Sequence, residues 1–148
     1  IGAAQAAKEV GGKAMETISH TAGPVVKATA EVGGDVGSTV KGSMIGALEG
    51  AKKVGEQAMD TISGTASAMI KATAQVGGDL AITAKNAVEG AIEGAKAIGV
   101  DTTEAASAAA TSAIKAAGDV SASAGKQVRD AVTGTIGGVK VVIKEPFK

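Results

Sequence analysis

Residues 46–89 read GALEGAKKVGEQAMDTISGTASAMIKATAQVGGDLAITAKNAVE. Residues 2–45, immediately before them, read GAAQAAKEVGGKAMETISHTAGPVVKATAEVGGDVGSTVKGSMI, and the two align without a gap, identical at 23 of 44 positions. Residues 90–133, GAIEGAKAIGVDTTEAASAAATSAIKAAGDVSASAGKQVRDAVT, are a more diverged third copy. Residues 134–148 open a fourth with GTIGGVKVVIK and stop. The chain therefore divides into repeats at 2–45, 46–89 and 90–133, with a partial repeat and C-terminal tail at 134–148. Self-similarity at this period is the mark of an array of supersecondary units.

Forty-four residues are four elevens, and eleven residues make three helical turns at 3.67 residues per turn. Numbering the eleven from Gly2 and stepping about 98° per residue, apolar residues favour positions 2, 3, 6, 9 and 10, which share one arc. Ala3, Val10, Ile18, Val32, Val40, Val54, Ile62 and Val76 fall there. The remaining positions carry most of the charge and hydroxyls. That is the signature of an amphipathic helix, not of a strand. Lys8, Lys41, Lys52, Lys85, Lys96, Arg129 and Lys140 all occupy position 7, on one border of the apolar face. Thr17, Thr39, Thr61 and Thr83 recur every 22 residues on the other.

Glycines set the expected stops. Gly11, Gly33, Gly55, Gly77 and Gly99 are spaced by 22. Gly34-Asp35 and Gly78-Asp79 read as a C′ glycine followed by an N-cap, and Asp101-Thr-Thr-Glu104 as a capping-box variant. These signals predict an all-α chain of Ala/Gly-rich helices over 13–32, 35–54, 57–76, 79–98, 101–117 and 123–136, arranged as helical hairpins. Pro24 should kink or break the first. The competing arrangement is one nearly continuous helix, in which each internal glycine costs about 1 kcal/mol relative to Ala. The β-branched run Val139-Lys-Val-Val-Ile-Lys144 suits a short C-terminal strand or an adhesive end.

Composition shapes what such helices can do. Alanine (32) and glycine (22) fill 54 of 148 positions; there is one Phe (Phe147), two Leu (Leu48, Leu80) and no Trp, Tyr or Cys. Large aliphatic and aromatic side chains supply most burial energy in ordinary cores, so an ordinary globular core is not expected. Leu, Ile, Val and Phe together make 30 of 148 residues, near the roughly 20% that marks disorder. Net charge is zero and the chain is not hydrophilic, which argues against disorder. Balanced charge without aromatics leaves neither a basic footprint nor stacking platforms for nucleic acid. The longest stretches free of charge are about ten residues, short of the roughly 20 that a spanning helix needs, so no transmembrane segment is expected. No signal peptide is visible. Beginning at Ile1, the chain is expected to be a processed product or the ordered part of something longer.

Small residues four apart recur in register at Gly46/Gly50, Gly90/Gly94 and Gly134/Gly138. That spacing lets helix backbones approach closely, and these six glycines are the expected helix-packing positions. His20 is the single histidine and is matched by Gly64 in the second copy, so it reads as a surface residue. One His, no Cys and scattered carboxylates give no metal site. No Gly-x-Ser-x-Gly or phosphate-loop spacing occurs. No enzyme, cofactor or metal is expected.

The 11-residue period, the Lys and Thr borders and the Val-Gly-Gly motifs resemble the repeats of synucleins and perilipins, and the style of late-embryogenesis desiccation proteins and exchangeable apolipoproteins. The resemblance runs from Gly2 to about Lys144. It implies helices that lie on lipid surfaces or stabilise membranes. The chain departs from that pattern in having only 20% charged residues and Gly-Asp punctuation, which suggest discrete helices packed on protein. The Thr row resembles those of α-helical antifreeze proteins, although it lapses at Ala105. Two functional readings follow. The first is a non-catalytic structural protein whose Ala/Gly/Val faces pack within and between copies into a homo-oligomer or filament. The second is a peripheral coat of lipid or other apolar surfaces, with ice binding or desiccation protection a distant third.

Overall fold

The computed structural model describes residues 36–54 and 58–143. The expected helix at 13–32, the Pro24 kink, His20, Lys8, Thr17, the first-copy glycines up to Gly33, the Gly34-Asp35 stop and cap, and the stop at Gly55 lie outside the described residues. The described chain is mostly helical. In order it runs α1 (Val36–Val54), α2 (Ala58–Gln75), α3 (Leu80–Ile98), α4 (Thr102–Val120), α5 (Ala122–Val132), β1 (Gly134–Ile136) and β2 (Val139–Val141).

Local chemistry accounts for the helix boundaries. Alanine has the best helix propensity of any residue, and it is frequent in α2, α3 and α4, whereas α1 holds two alanines and four glycines. Asp79 caps α3 by accepting hydrogen bonds from the Ala81 and Ile82 amides at 2.9 and 3.2 Å. Asp101 caps α4 in the same way, from Thr103 at 2.8 Å and Glu104 at 3.0 Å. Gly77 (φ 71°) and Gly99 (φ 80°) take the left-handed conformation that ends a helix without a Cβ penalty. The amides of Gly99 and Val100 both return to the Ala95 carbonyl, and that of Gly78 to Thr73. The helices stop at these glycines and do not run on through them.

The helices form two rows. α1 packs chiefly on α3, and α3 also meets α5; α2 packs chiefly on α4. α4 touches α3 and α5 across the rows. α3 begins and ends 44 residues after α1 (80 against 36, 98 against 54), and α4 begins 44 after α2 (102 against 58). The core is built from small side chains carrying a few larger ones. Ala105, Ala106, Ala109, Ala110, Ala113, Ala116 and Ala117 of α4 are buried, whereas Val40, Met44, Leu48, Ile62, Met69, Ile70, Val88 and Ile92 supply the bulk from α1, α2 and α3. A methyl-surfaced α4 lets its neighbours come close, so dispersion contacts replace the missing large groups.

The C-terminal end departs from the expected helix at 123–136. α5 stops at Val132, and β1 and β2 pair antiparallel with Gly134 opposite Val141, Thr135 opposite Lys140 and Ile136 opposite Val139. Gly137 and Gly138, at φ 56° and 80°, make a two-residue turn of the kind that needs positive φ at both positions. Where residues 46–54 read GALEGAKKV and 90–98 read GAIEGAKAI, residues 134–142 read GTIGGVKVV. Glycine replaces the glutamate, and β-branched residues replace two alanines and the residue after the lysine. Each change disfavours helix, and together they make a hairpin. Ile136 and Val141 are buried, with β1 against α3 and β2 against α4.

Asp101→Ala removes the acceptor for two α4 amides and is expected to lower stability by about 1 kcal/mol. Urea unfolding followed by circular dichroism checks this.

Candidate functional site: a glycine-lined helix interface

Gly90 and Gly94 are one helical turn apart and lie on the same face of α3. A Cβ built on Gly90 would lie 2.7 Å from the Lys41 carbonyl oxygen, 2.9 Å from Met44 Cβ and 3.2 Å from Lys41 Cα. A Cβ on Gly94 would lie 2.6 Å from Leu48 Cδ1 and 3.5 Å from Ile45 Cα. Backbone meets backbone at the first position; at the second, a buried leucine fills the space. Contacts advance from 41 and 44 to 45 and 48 on α1 as they advance from 90 to 94 on α3, so the two helices run parallel. Each spans about 27 Å at 1.5 Å per residue, and α2, of nearly the same length, must carry the chain back between them.

The rim of this interface is charged. Lys41 Nζ pairs with Glu93 Oε2 at 2.6 Å, with the side chains 35% and 49% exposed. The hydrogen bond to Glu93 and its charge, helped by the Glu89 charge, hold the Lys41 ammonium above its ordinary pKa. Exposure on this scale makes the pair a modest contributor. It fixes the edge of the contact, while the glycines and Met44 and Leu48 fill its centre.

The other expected packing glycines lie elsewhere. Gly46 stands 44 residues before Gly90, yet it is exposed and its Cβ would meet nothing within 4 Å. Gly50 is buried in α1. Gly134 and Gly138 are not helical: they belong to the hairpin, at φ 107° and 80°, and a Cβ at either would meet nothing within 4 Å. Among the border cations, Lys52, Lys85, Lys96 and Lys140 are exposed and Arg129 is half-buried. Met44, Leu48 and Glu93 complete the interface without having been singled out from the sequence. Met44 and Leu48 sit at positions 10 and 3 of the eleven, on the apolar arc, so the signal for their burial was present. Which helix they meet was not.

The threonine row is corrected at two positions, whereas Thr39 is half-buried. Thr61 and Thr83, expected at a polar border, are fully buried, as are Thr65 and Thr73. Thr73 donates to the Met69 carbonyl at 2.8 Å, which leaves Thr83 to donate to the Thr73 hydroxyl oxygen at 3.0 Å. The hydroxyls of Thr61, Thr65 and Ser107 have no hydrogen-bond partner. A surface that binds ice through this row would need those side chains outside. Among the described residues, no helix is long and apolar enough to cross a membrane, and no group of three or more His, Cys, Asp or Glu could hold a metal ion. Compared with known families, curated proteins and solved structures, the chain matches none.

Two contrasts follow. Gly90→Ala forces apart α1 and α3 and is expected to lower stability by about 1–2 kcal/mol, because overpacking outweighs the helix-propensity gain. Gly46→Ala meets open space and should raise stability by about 1 kcal/mol. Thr65→Val deletes an unpaired buried hydroxyl and should stabilise by about 1 kcal/mol, whereas Thr73→Val breaks two hydrogen bonds and should cost about 1–2 kcal/mol. Denaturant midpoints of the four variants test both pairs.

Proposed function

We propose that the chain is a non-catalytic structural protein. Its Ala/Gly/Val helix faces pack within the chain and between copies to form a homo-oligomeric or filamentous assembly. The observation that carries this reading is the difference between Gly90 and Gly46. Position 90 is filled by the α1 backbone, while the matching position 44 residues earlier is an exposed glycine beside open space. Among the described residues the close-approach position is occupied at Gly90 of α3 and open at Gly46 of α1, while Gly50, one turn further on, is buried. Small side chains bury little area each at about 25 cal/mol per Å², so every further neighbour adds proportionately more to such an array than to a bulky core. In this reading the 44-residue sequence repeat is the unit of stacking, the amphipathic faces are its contact surfaces, and the hairpin closes the C-terminal end.

A lipid coat is the less favoured reading because the apolar side chains it would present are inside. Ile82, Val120 and Val142 are the exposed large hydrophobics among the described residues; the first is on α3, the second ends α4 and the third follows β2.

Light scattering and negative-stain microscopy over a range of protein concentrations, without lipid, test the proposal. Growth of oligomers or filaments with concentration is expected, and Gly46→Leu should block growth while leaving helicity unchanged. A chain that stays monomeric at all concentrations, or that becomes helical only on vesicles, overturns it.

A further inference from the structure

β2 has a strand beside it on one edge only: among the described residues the sheet holds two strands, β1 and β2. The two-residue turn at Gly137 and Gly138 makes Ile136 and Val139 a hydrogen-bonded pair, and such pairs alternate along an antiparallel ladder. Gly134 and Val141 are the next bonded pair, so Val139 and Val141 direct their N–H and C=O groups to β1. Those of Lys140 face the open edge. The alternation of faces runs past the end of the ladder: Val139 and Ile143 are half-buried, Val141 is buried, and Lys140 and Val142 are exposed. By the same period of two, the backbone groups of Val142 continue the open row. Val142 itself is 50% exposed. β1 has no such extension, because α5 ends at Val132, just before it.

We propose that the open edge of β2 pairs with the same edge of a second copy of the chain, antiparallel about a two-fold axis at Val141. Lys140 of one copy then lies opposite Val142 of the second, and Val139 opposite Ile143. Lys140 and Val142 are the residues whose backbone groups point outward, so each of these two pairs exchanges both of its hydrogen bonds. Charge selects this register. Shifted by one residue in either direction, the axis sets Lys140 opposite Lys140 or opposite Lys144, and like charges directly opposite are destabilising. The joined sheet has four strands and carries Ile136, Val139, Val141 and Ile143 on its helix-facing side, whereas a two-stranded hairpin is marginal by itself. Strand edges are commonly guarded by proline, bulges or several charges, and over residues 139–143 this edge carries Lys140 alone.

This contact is separate from the helix-face packing proposed above. A two-fold contact uses the same patch on both copies and closes on itself. It therefore joins two chains, or two stacks of chains, by their C-terminal ends and adds no further copies through the same edge.

The test is sedimentation velocity of the full chain over a range of concentrations, with and without Gly46→Leu to block growth through the helix face. The Gly46→Leu chain is expected to stop at a dimer. A monomer there overturns the edge pairing, and growth of the unsubstituted chain would still stand for the helix face. Conversely, an unsubstituted chain that stops at an edge-paired dimer supports the pairing and overturns helix-face growth. In the Gly46→Leu background, Val142→Pro removes one outward N–H from each copy and none from the hairpin. It should raise the dimer dissociation constant at least about tenfold, with helicity unchanged. Val142→Lys should do the same by facing Lys140, and adding Lys140→Glu should restore the dimer by setting opposite charges across both pairs. The chain has no cysteine, so Val141→Cys reports the register. Directly opposed, non-hydrogen-bonded residues lie about 4.5 Å apart at Cα, within the roughly 4.4–6.8 Å that a disulfide spans. Oxidation should link two copies at 141, whereas Thr135→Cys on β1 should not link them. A dimer that Val142→Pro leaves intact, a charge exchange that fails to restore it, or equal cross-linking at 135 and 141 overturns the proposal.

Discussion

The backbone of α1 rests directly on Gly90 of α3, with the Lys41 carbonyl where a side chain would otherwise begin. Much of the described structure depends on contacts as close as this. A chain with two leucines and one phenylalanine cannot fill the usual separation of packed helices, about 8–10 Å between axes, with large side chains. Helices made of alanine and glycine can stay well packed only by coming nearer. Gly125 against Gly118 repeats the device at the α4–α5 corner, and the buried alanines of α4 apply it along a whole helix. The cost is intolerance: where backbone touches backbone, even a methyl group has nowhere to go.

Close approach also explains the connectivity. α1 and α3 are parallel and adjacent, α2 lies between them in sequence, and its partner is α4. In the first half of the described chain, contacts between elements two apart outweigh those between immediate neighbours; further on, α4 packs on α3 and α5 more extensively than α3 packs on α5. Such a scheme has no internal reason to end. After α5 the secondary structure changes: the hairpin turn lies over Ile92, one copy on from Leu48, so that a Cβ built on Gly137 would lie 3.5 Å from Ile92 Cδ1. Among the described residues, α1 carries no comparable closure at Gly46. That asymmetry makes association between copies the reading that best joins composition, register and geometry.

Charge is distributed by the same register. Lys41 serves the α1–α3 edge through Glu93, whereas its counterpart Arg129 lines a groove at the α4–α5 corner. One position in the 11-residue unit thus takes on different duties, depending on what packs beside it.

Helix positions and stops were legible from the sequence because they are decided within a turn or two of chain. Alanine runs, aspartate caps and glycine ends act on local backbone conformation, and the described helices begin and end close to where those signals stand. The Gly-Gly turn and β-branched residues of 134–142 were equally local, but their register match to helical copies masked them. Tertiary structure alone decided the rest. Thr61 and Thr83 sit on an arc whose polarity the sequence left balanced, and packing against neighbouring helices buried them. Gly46 and Gly90 are indistinguishable by motif, and only the placement of α1 made one a tight contact and the other an open surface. Lys115, Lys126 and Arg129 share a groove because α4 and α5 meet at Ser121 at an angle no periodicity encodes. A single helix can specify its own faces, but which face is covered is settled by the neighbour that reaches it.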